Sequence, residues 1–127
     1  MRAQLVVLVM QALWELLRYD VVIKALGFRR IHHALAGMRP RGAKTAPDME
    51  RAVCQAMKWA LSLYWKPALC LQRSVAAARL LRRYGVDAHV VVGYRPQPFF
   101  SHAWVEVGGR IVNDSPGYRR LSVLERI

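Results

Sequence analysis

The sequence predicts an α+β domain in which helices pack on a small antiparallel sheet. Apolar residues recur at helical spacing over the first two thirds of the chain, β-branched and alternating stretches follow Gly85, and a Gly-Gly pair separates two of those stretches. With 127 residues, 54% of them apolar, the chain is long enough for one domain with a core and too short for two. Helices followed by strands are typical of a helical layer on a sheet.

The first helix is predicted from Gln4 to about Leu26. Its polar side chains share one narrow stripe, at spacings of seven, four and three: Gln4, Gln11, Glu15 and Arg18. The remaining surface is apolar and must be buried on this domain, on a partner or on a membrane. The Gly-, Pro- and Arg-rich stretch that follows reads as a hinge. We therefore expect a helical N-terminal extension over 1–45 and a core domain over 46–127.

Two more helices precede the strands. Pro47 and the acidic residues after it indicate a helix start, and this second helix runs to about Tyr64. A third helix runs from about Leu69 to Tyr84, where Gly85 supplies a left-handed stop. Two tryptophans are predicted to pack between helices: Trp14 and Trp59.

Steps of 100° per residue divide the third helix into two faces. One face is predicted to point toward the sheet: Cys70, Ser74, Ala77 and Leu81. The opposite face is predicted to be solvated: Gln72, Arg79 and Arg83. The same reasoning predicts that the run "RLLRR" is a solvated face.

Three strands follow, in "DAHVVVGY", "SHAWVEV" and "RIVND". The loop between the last two decides which residues face each other, because a shift of one residue moves a side chain to the other face. A turn of the Gly-Gly pair alone would leave Asp114 facing away from His102. A three-residue loop ending in a left-handed Gly109 pairs His102 with Asp114 and Glu106 with Arg110. We predict the second register, which sets opposite charges across from each other.

The chain has two cysteines, Cys54 and Cys70, too few for a disulfide scaffold, so a reduced, cytoplasmic setting is expected. Cys54 lies inside the second helix and is predicted to be a small buried residue. Cys70 begins the third helix, where free N–H groups and the helix dipole favour a thiolate and can hold an oxyanion. No Cys/His spacing resembles a zinc site, and no cofactor is expected.

A reactive thiol needs a base, and four histidines are candidates. Two of them, His32 and His33, fall in the basic hinge, and His89 falls inside a strand as a packed or edge residue. His102 opens a strand directly after "YRPQPFF", a loop whose aromatic residues can wall a cleft. His102 is therefore the preferred base, with Trp104 as core beneath it.

The formal charge of +12 is spread over both halves of the chain, with eight basic and two acidic residues in 1–46 and twelve and six in 47–127. An even distribution argues against a nucleic-acid-binding tail. A solvated basic surface and a site for an acidic partner or peptide substrate remain equally weighted. The apolar run "LVVLVM" is too short to span a bilayer, and membrane association stays open.

The stretches "CLQRSVAAARLLRRYGVDAHVVVGYR" and "SHAWVEVGGRIVNDSP" resemble the transglutaminase-like cysteine protease superfamily, and within it the leader peptidases of lasso peptide biosynthesis. The resemblance runs from about Ala46 to Ile127. It implies a transglutaminase-like or papain-like fold. It also implies Cys70 as nucleophile, His102 as general base and Asp114 as the residue that orients His102.

The activity that this resemblance implies is removal of the leader peptide from a ribosomally made precursor, through an acyl-enzyme on Cys70. Implied partners are the precursor peptide, a small leader-recognition protein and an ATP-dependent lasso cyclase. Candidate substrate-binding residues are Trp65, Arg73, Phe99 and Phe100. Two alternatives remain: acyl transfer to an amine, as in a transglutaminase, and a non-catalytic adaptor or basic binding module.

Overall fold

The computed structural model describes residues 2–27, 29–31, 33, 46–96, 99–112 and 121–127, without the side chains of Arg2, Phe99, Leu124 and Glu125. Its helices are α1 (Arg2–Leu26), α2 (Pro47–Leu63) and α3 (Cys70–Arg83). Its strands are β1 (Ala88–Pro96), β2 (Phe99–Val107), β3 (Arg110–Ile111) and β4 (Ser122–Arg126). Residues 29–31 and 33 are helical too and take no label. Helices packed on a small antiparallel sheet confirm the predicted α+β class.

The four strands form one sheet in the order β3-β2-β1-β4, with every neighbouring pair antiparallel. The long central pair keeps one register throughout, from Ala88 opposite Val107 to Gly93 opposite His102 and beyond. The pairing of β4 with β1 shifts between Val92 and Gly93. The last described strand therefore covers the edge of β1 that β2 leaves open.

The turn between α3 and β1 is formed as the sequence predicts. Gly85 adopts a positive φ of 83°, its N–H bonds to the carbonyl of Arg82 at 3.0 Å, and the N–H of Val86 bonds to the carbonyl of Leu81 at 3.0 Å. A left-handed glycine with these two backbone hydrogen bonds provides donors for the last carbonyls of the helix. The chain thus turns directly from α3 into β1.

The helices cover one face of the sheet. Helix α1 packs on α2 and α3, while α3 packs on β1 and β2. Apolar residues from all of these elements join one core cluster, which includes Leu8, Leu16, Val53, Leu80, Val90, Val105 and Val107. Helix α1 therefore shares a core with the elements of the predicted 46–127 domain. The division at residues 45 and 46 stays a prediction, because 34–45 lie outside the described residues.

The polar side of α3 is buried, so the prediction that Gln72 and Arg79 are solvated is wrong. Gln72 is only 4% exposed, and its Nε2 donates to the carbonyl of Leu16 at 3.0 Å. The carboxylate of Glu15 lies 2.6 Å from Nε of Arg79 and 2.9 Å from Nη2 of Arg83. The polar stripes of α1 and α3 therefore meet at Glu15, and the opposite charges explain why Arg79 is buried, whereas the side chain of Arg83 remains 39% exposed.

The run "RLLRR" is likewise not a solvated face. Arg82 is buried, and its Nε donates to the carbonyl of Ala88 at 2.7 Å. Its Nη2 donates to the carbonyl of Ile127 at 2.9 Å. Because a guanidinium offers five donors in a fixed plane, it can join several carbonyls at once. Arg82 thus ties the end of α3 to the start of β1 and to the end of the chain.

Helix α1 turns an apolar stripe to the outside: Val7, Met10, Trp14, Leu17 and Val21, each at least 43% exposed. Their spacing of three and four residues keeps all five on one side of the helix. Trp14 is 57% and Trp59 52% exposed, so the prediction that both pack between helices is wrong. Within the described ranges, no helix combines the length and the apolarity needed to cross a bilayer.

The turn between β2 and β3 differs from the predicted three-residue loop. Val107 faces Arg110 and Glu106 faces Ile111, so only the two glycines turn, with φ of 57° at Gly108 and 77° at Gly109. Two adjacent left-handed residues are what a two-residue hairpin turn requires. The predicted pairing of Glu106 with Arg110 is therefore wrong. Asp114, which that register was to place opposite His102, lies outside the described residues.

Candidate active site at the start of helix α3

Cys70 is the first residue of α3, as the sequence predicts. The preceding Leu69 is extended, with φ of −75° and ψ of 164°, and makes no side-chain cap. The first backbone bond of the helix runs from the N–H of Arg73 to the carbonyl of Leu69, at 3.0 Å. The N–H groups of Cys70 and the next two residues have no acceptor within the helix, because the residues four positions earlier lie outside it. This end of the helix therefore presents the positive end of its dipole beside the thiol.

A carboxylate from α1 holds the first turn of α3 in place. Asp20 accepts a hydrogen bond from Nε2 of Gln72 at 3.0 Å and another from the hydroxyl of Tyr64, and Nζ of Lys66 lies 2.7 Å from its second oxygen. We call these four residues the Asp20 cluster. Because Tyr64 and Lys66 belong to the bend before Cys70, the cluster fixes both the approach to the nucleophile and the turn after it.

The Asp20 cluster shifts the ionisation of its own members. Burial alone would raise the pKa of Asp20, but hydrogen bonds from Lys66, Tyr64 and Gln72 outweigh burial and lower it. Burial, together with the hydrogen bond to Asp20, raises the pKa of Tyr64 to about 12. Burial also raises the pKa of the neighbouring Tyr19, and the charges of Asp20 and Cys70 add to that rise. Tyr19 therefore lies within electrostatic reach of Cys70.

His102 lies on β2 within a row of stacked rings. Its ring centroid is 6.1 Å from that of Phe100 and 6.4 Å from that of Trp104, at interplanar angles of 18° and 23°. Nε1 of Trp104 donates to Glu106 at 2.8 Å, and Glu106 in turn lies 3.1 Å from Arg126 of β4. We call Phe100, His102 and Trp104 the aromatic row. The prediction that Trp104 is core beside His102 is confirmed, since it is 1% exposed.

The aromatic row depends on a glycine in the neighbouring strand. Gly93 faces His102 across the β1–β2 pair, and a Cβ atom there would lie 2.4 Å from Cη2 of Trp104. The Cβ of Leu121 would be 3.0 Å away on the other side. Because only glycine lets the indole ring approach the strand so closely, Gly93 fixes the position of Trp104 and, through the stacking, of His102.

The lengths of α3 and β1 bear on how Cys70 and His102 are placed. Arg82 joins the end of α3 to the start of β1, and the two elements pack on each other. From that shared corner, Cys70 lies about 18 Å back along the helix at ~1.5 Å per residue. Gly93, which faces His102, lies about 17 Å along the strand at ~3.3 Å per residue. The nucleophile and the base predicted from the sequence are therefore at similar distances from this corner, each along its own element.

The two side chains leave their elements on different sides of the sheet. Val105 and Val107 join the core under the helices, so the alternating residues His102, Trp104 and Glu106 project from the opposite face of β2. A meeting of the thiol and the imidazole must therefore take place around the end of the sheet. Asp114, the predicted third member, lies outside the described residues.

The remaining candidate residues lie close in sequence to Cys70 or to His102. Trp65 is 75% exposed beside Lys66, whose Nζ lies 5.5 Å from its ring. Phe100 is 38% exposed, with the guanidinium of Arg95 5.7 Å from its ring. The side chain of Phe99 lies outside the described residues. Sequence reasoning missed Asp20, which lies off the polar stripe of α1, and misplaced Gln72.

A cavity of about 410 Å³ lies between α2 and α3, next to the start of α3. Its lining residues are Cys54, Met57, Lys58, Leu61, Arg73, Ala77 and Val112. We call it the Arg73 cavity. Cys54 is half-buried there and its thiol donates to the carbonyl of Val112 at 3.1 Å, so it is not the purely apolar residue that the sequence predicts. In the part of the chain that the structure describes, no three His, Cys, Asp or Glu residues are grouped to hold a metal.

Comparison with known proteins places this chain in a family. The microcin J25-processing protein McjB of Escherichia coli is 52% identical over 59 residues, which cover 46% of this chain and 28% of that protein. The matched stretch thus spans less than a third of the relative. No solved structure matches the chain. The family model described as the transglutaminase-like superfamily matches residues 13–126, nearly the whole sequence. The chain therefore belongs to the transglutaminase-like superfamily, as its motifs predict.

Proposed function

We propose that the protein is a cysteine peptidase that removes the leader peptide from a ribosomally made lasso peptide precursor. The observation that carries the proposal is the position of Cys70, the first residue of an uncapped helix in a transglutaminase-like domain. The similarity to a microcin-processing protein supports a peptide precursor as substrate. In this proposal the reaction is an acyl transfer from the precursor to Cys70 and then to water.

The proposed chemistry uses the side chains of the candidate site and the start of α3. His102 takes the thiol proton, and Sγ of Cys70 attacks the carbonyl carbon of the scissile peptide bond. The free N–H groups at the start of α3 stabilise the negative charge that develops on the carbonyl oxygen. His102 then gives the proton to the leaving amine, and water attacks the thioester to release the acid and the free thiol. Asp114 orients the imidazole; the resemblance to the family motif supports this role, whereas the two-glycine turn does not.

Substitution of the three proposed groups tests the mechanism. Cys70→Ala, His102→Ala and Asp114→Asn are each expected to lower cleavage of the precursor by at least about a thousandfold. His89→Ala is the matched control, since His89 lies half-buried on the same sheet and pairs with Asp87 instead. Cleavage is followed by mass spectrometry with the recognition protein present. Undiminished cleavage by Cys70→Ala would exclude this site.

The geometric part of the proposal has its own test. In a Cys54→Ser background, His102→Cys places a second thiol at the proposed base. Oxidation joins it to Cys70 if the two Cα atoms come within the roughly 4.4–6.8 Å that a disulfide spans, which would support a close approach of these two positions. If no disulfide forms and His102→Ala still cleaves like the wild type, His102 is not the base.

The fate of the acyl group distinguishes a peptidase from an amine transferase. The precursor is incubated with the protein and an excess of a primary amine. A free leader with an unmodified carboxyl end supports hydrolysis. An amine adduct as the main product would instead assign the protein to acyl transfer.

The partners belong to the same proposal. We assign the exposed apolar stripe of α1, which contains Trp14, to the leader-recognition protein that presents the precursor. The ATP-dependent cyclase would act on the released product. Exposed apolar area in a regular row on one helix supports a protein contact there. Trp14→Lys is expected to weaken co-elution with the recognition protein. Trp59→Lys, an equally exposed tryptophan on α2, is the control, and an equal loss in both variants would contradict the assignment.

A further inference from the structure

The Arg73 cavity has an unusual balance of charge. Its walls are mostly apolar, from Met57, Leu61, Ala77 and Val112, and its two charged lining residues, Lys58 and Arg73, are both cations. None of the lining residues is acidic. Elsewhere in the described part of the chain, buried arginines have partners, as Arg79 has Glu15 and Arg82 has two backbone carbonyls.

Arg73 is left without a full set of partners. Its Nε atom is buried and has no hydrogen-bond partner. A buried donor without an acceptor destabilises the protein unless a ligand supplies one. A carboxylate fits a guanidinium best, because its two oxygens match two parallel N–H groups. The apolar walls strengthen this attraction by excluding water.

The cavity also lies close to the proposed nucleophile. Cys70, Arg73 and Ala77 are spaced three and four residues apart, so they follow one another on one face of α3. The Cα of Arg73 is about 4.5 Å along the helix axis from that of Cys70. Allowing for the two side chains, a residue bound at Arg73 lies within about four positions of the bond that Cys70 attacks, at ~3.3 Å per extended residue.

We propose that the Arg73 cavity binds an acidic side chain of the peptide substrate. Arg73 and Lys58 hold the carboxylate, while Met57 and Leu61 pack against its methylene groups or an apolar neighbour. Because this assignment names a subsite for the proposed peptidase, it rests on the proposed function. It assigns part of the positive charge of the chain to the binding of an acidic peptide, which is one of the two roles that the composition leaves open.

Cys54 provides a probe of the cavity that does not depend on catalysis. Iodoacetate and iodoacetamide alkylate thiols by the same displacement, in which sulfur bonds to the methylene carbon and iodide leaves, and only iodoacetate carries a carboxylate. Burial raises the pKa of the Cys54 thiol; Glu50 adds to the rise and Lys58 opposes it. Labelling is therefore measured above pH 9. Glu50, which already pairs with Arg110 at 3.1 Å, affects the wild type and the variants alike.

The readout is the iodoacetate-to-iodoacetamide rate ratio at Cys54, measured by peptide mass spectrometry and referred to free cysteine. We expect a ratio several times that of free cysteine in the wild type, and a fall toward it in Arg73→Gln and Lys58→Gln. Arg51→Gln is the matched control, since Arg51 is also one helical turn from Cys54 but is 75% exposed and pairs with Asp48. An equal fall in Arg51→Gln, or no elevation in the wild type, would overturn the site.

The second arm tests the substrate. Precursors with glutamate at single positions within four residues of the scissile bond are compared with their glutamine versions. At one position the wild type is expected to prefer glutamate by about tenfold or more in kcat/KM, and Arg73→Gln is expected to lose that preference. Thermal unfolding checks that Arg73→Gln is folded. Equal cleavage of every pair by the wild type would overturn the subsite, whereas no cleavage of any precursor would refute the peptidase and leave the labelling result standing.

Discussion

Replacing Gly93 with alanine adds one methyl group at the point where the sheet meets the aromatic row. The new Cβ would lie 2.4 Å from Cη2 and 2.7 Å from Cζ3 of Trp104, while the Cβ of Leu121 stands 3.0 Å away. Carbon atoms in contact prefer about 3.5–4.0 Å. The indole ring must therefore move by about an ångström, and it cannot do so without disturbing His102 on one side and Glu106 on the other.

The size of the effect follows from these contacts. Overpacking a close-packed site costs about 1–3 kcal/mol. Weakening the bond from Nε1 of Trp104 to the carboxylate of Glu106, now 2.8 Å, adds about 1 kcal/mol or more. We expect Gly93→Ala to lower the free energy of unfolding by about 2–4 kcal/mol. Precursor cleavage by the fraction that remains folded should also fall, because the imidazole loses its stacking surface.

Urea denaturation measures the stability, and a double-mutant cycle identifies the cause. If the indole ring is the obstacle, Gly93→Ala should cost at least 1 kcal/mol less in a Trp104→Leu background, in line with the coupling of residues in contact. Gly109→Ala serves as the comparison, because that glycine has a φ of 77° but open space around it, so only backbone strain is at stake. A loss below about 0.5 kcal/mol, or equal losses in both backgrounds, would refute the reasoning.

Two further predictions concern the interface between α1 and α3. Glu15→Gln is expected to lower the free energy of unfolding by about 3 kcal/mol or more, because it leaves a buried arginine without its counter-charge. Arg51→Gln, which breaks a pair whose side chains are 75% and 97% exposed, should change it by less than about 0.5 kcal/mol, and similar losses in urea would contradict the distinction. The lowered pKa of Asp20 means that its stabilisation is complete above the unfolded value of about 3.9 and is lost as pH falls through the folded value. The stability advantage of the wild type over Asp20→Asn should therefore be constant from about pH 6 to pH 8 and shrink below about pH 4; an advantage that does not change down to pH 2 would exclude the cluster as its source.

Local rules predicted the elements of this fold well. The stop at Gly85 and the start at Pro47 need only the residues next to them, and both occur where the sequence places them. The direction that each helix face points was harder to predict. Periodicity shows that Gln72 and Arg79 share a side of α3, but a shared polar side can meet either water or another polar side. Only the acidic residues on α1 indicate that this side of α3 meets another polar side rather than water.

The hairpin register shows the same limit. The sequence predicts the pairing of Glu106 with Arg110 because that register sets their opposite charges across from each other. In the structure, Glu106 instead binds Trp104 and Arg126, and Arg110 binds Glu50 at the start of α2. Charges satisfied by distant elements leave the turn free to follow its own preference, which for two glycines is the two-residue turn.

The candidate site was predictable where it depended on motif and helix geometry. Cys70 begins α3 as expected, and the meeting of Cys70 with His102 stays a prediction. The Asp20 cluster and the Arg73 cavity were not predicted as units, since each combines residues from elements far apart in the sequence. Asp20 and Gln72, 52 positions apart, meet only because α1 packs along α3.

The buried carboxylate of Glu15 between two arginines has a thermodynamic consequence for the whole chain. Peeling α1 away from α3 would break that charge network and expose the apolar residues packed beside it, and the lost apolar burial disfavours partial detachment. Denaturation is then expected to be all-or-none, with fluorescence and circular dichroism tracing one coincident curve. The first helix is therefore expected to unfold together with the sheet and the other two helices.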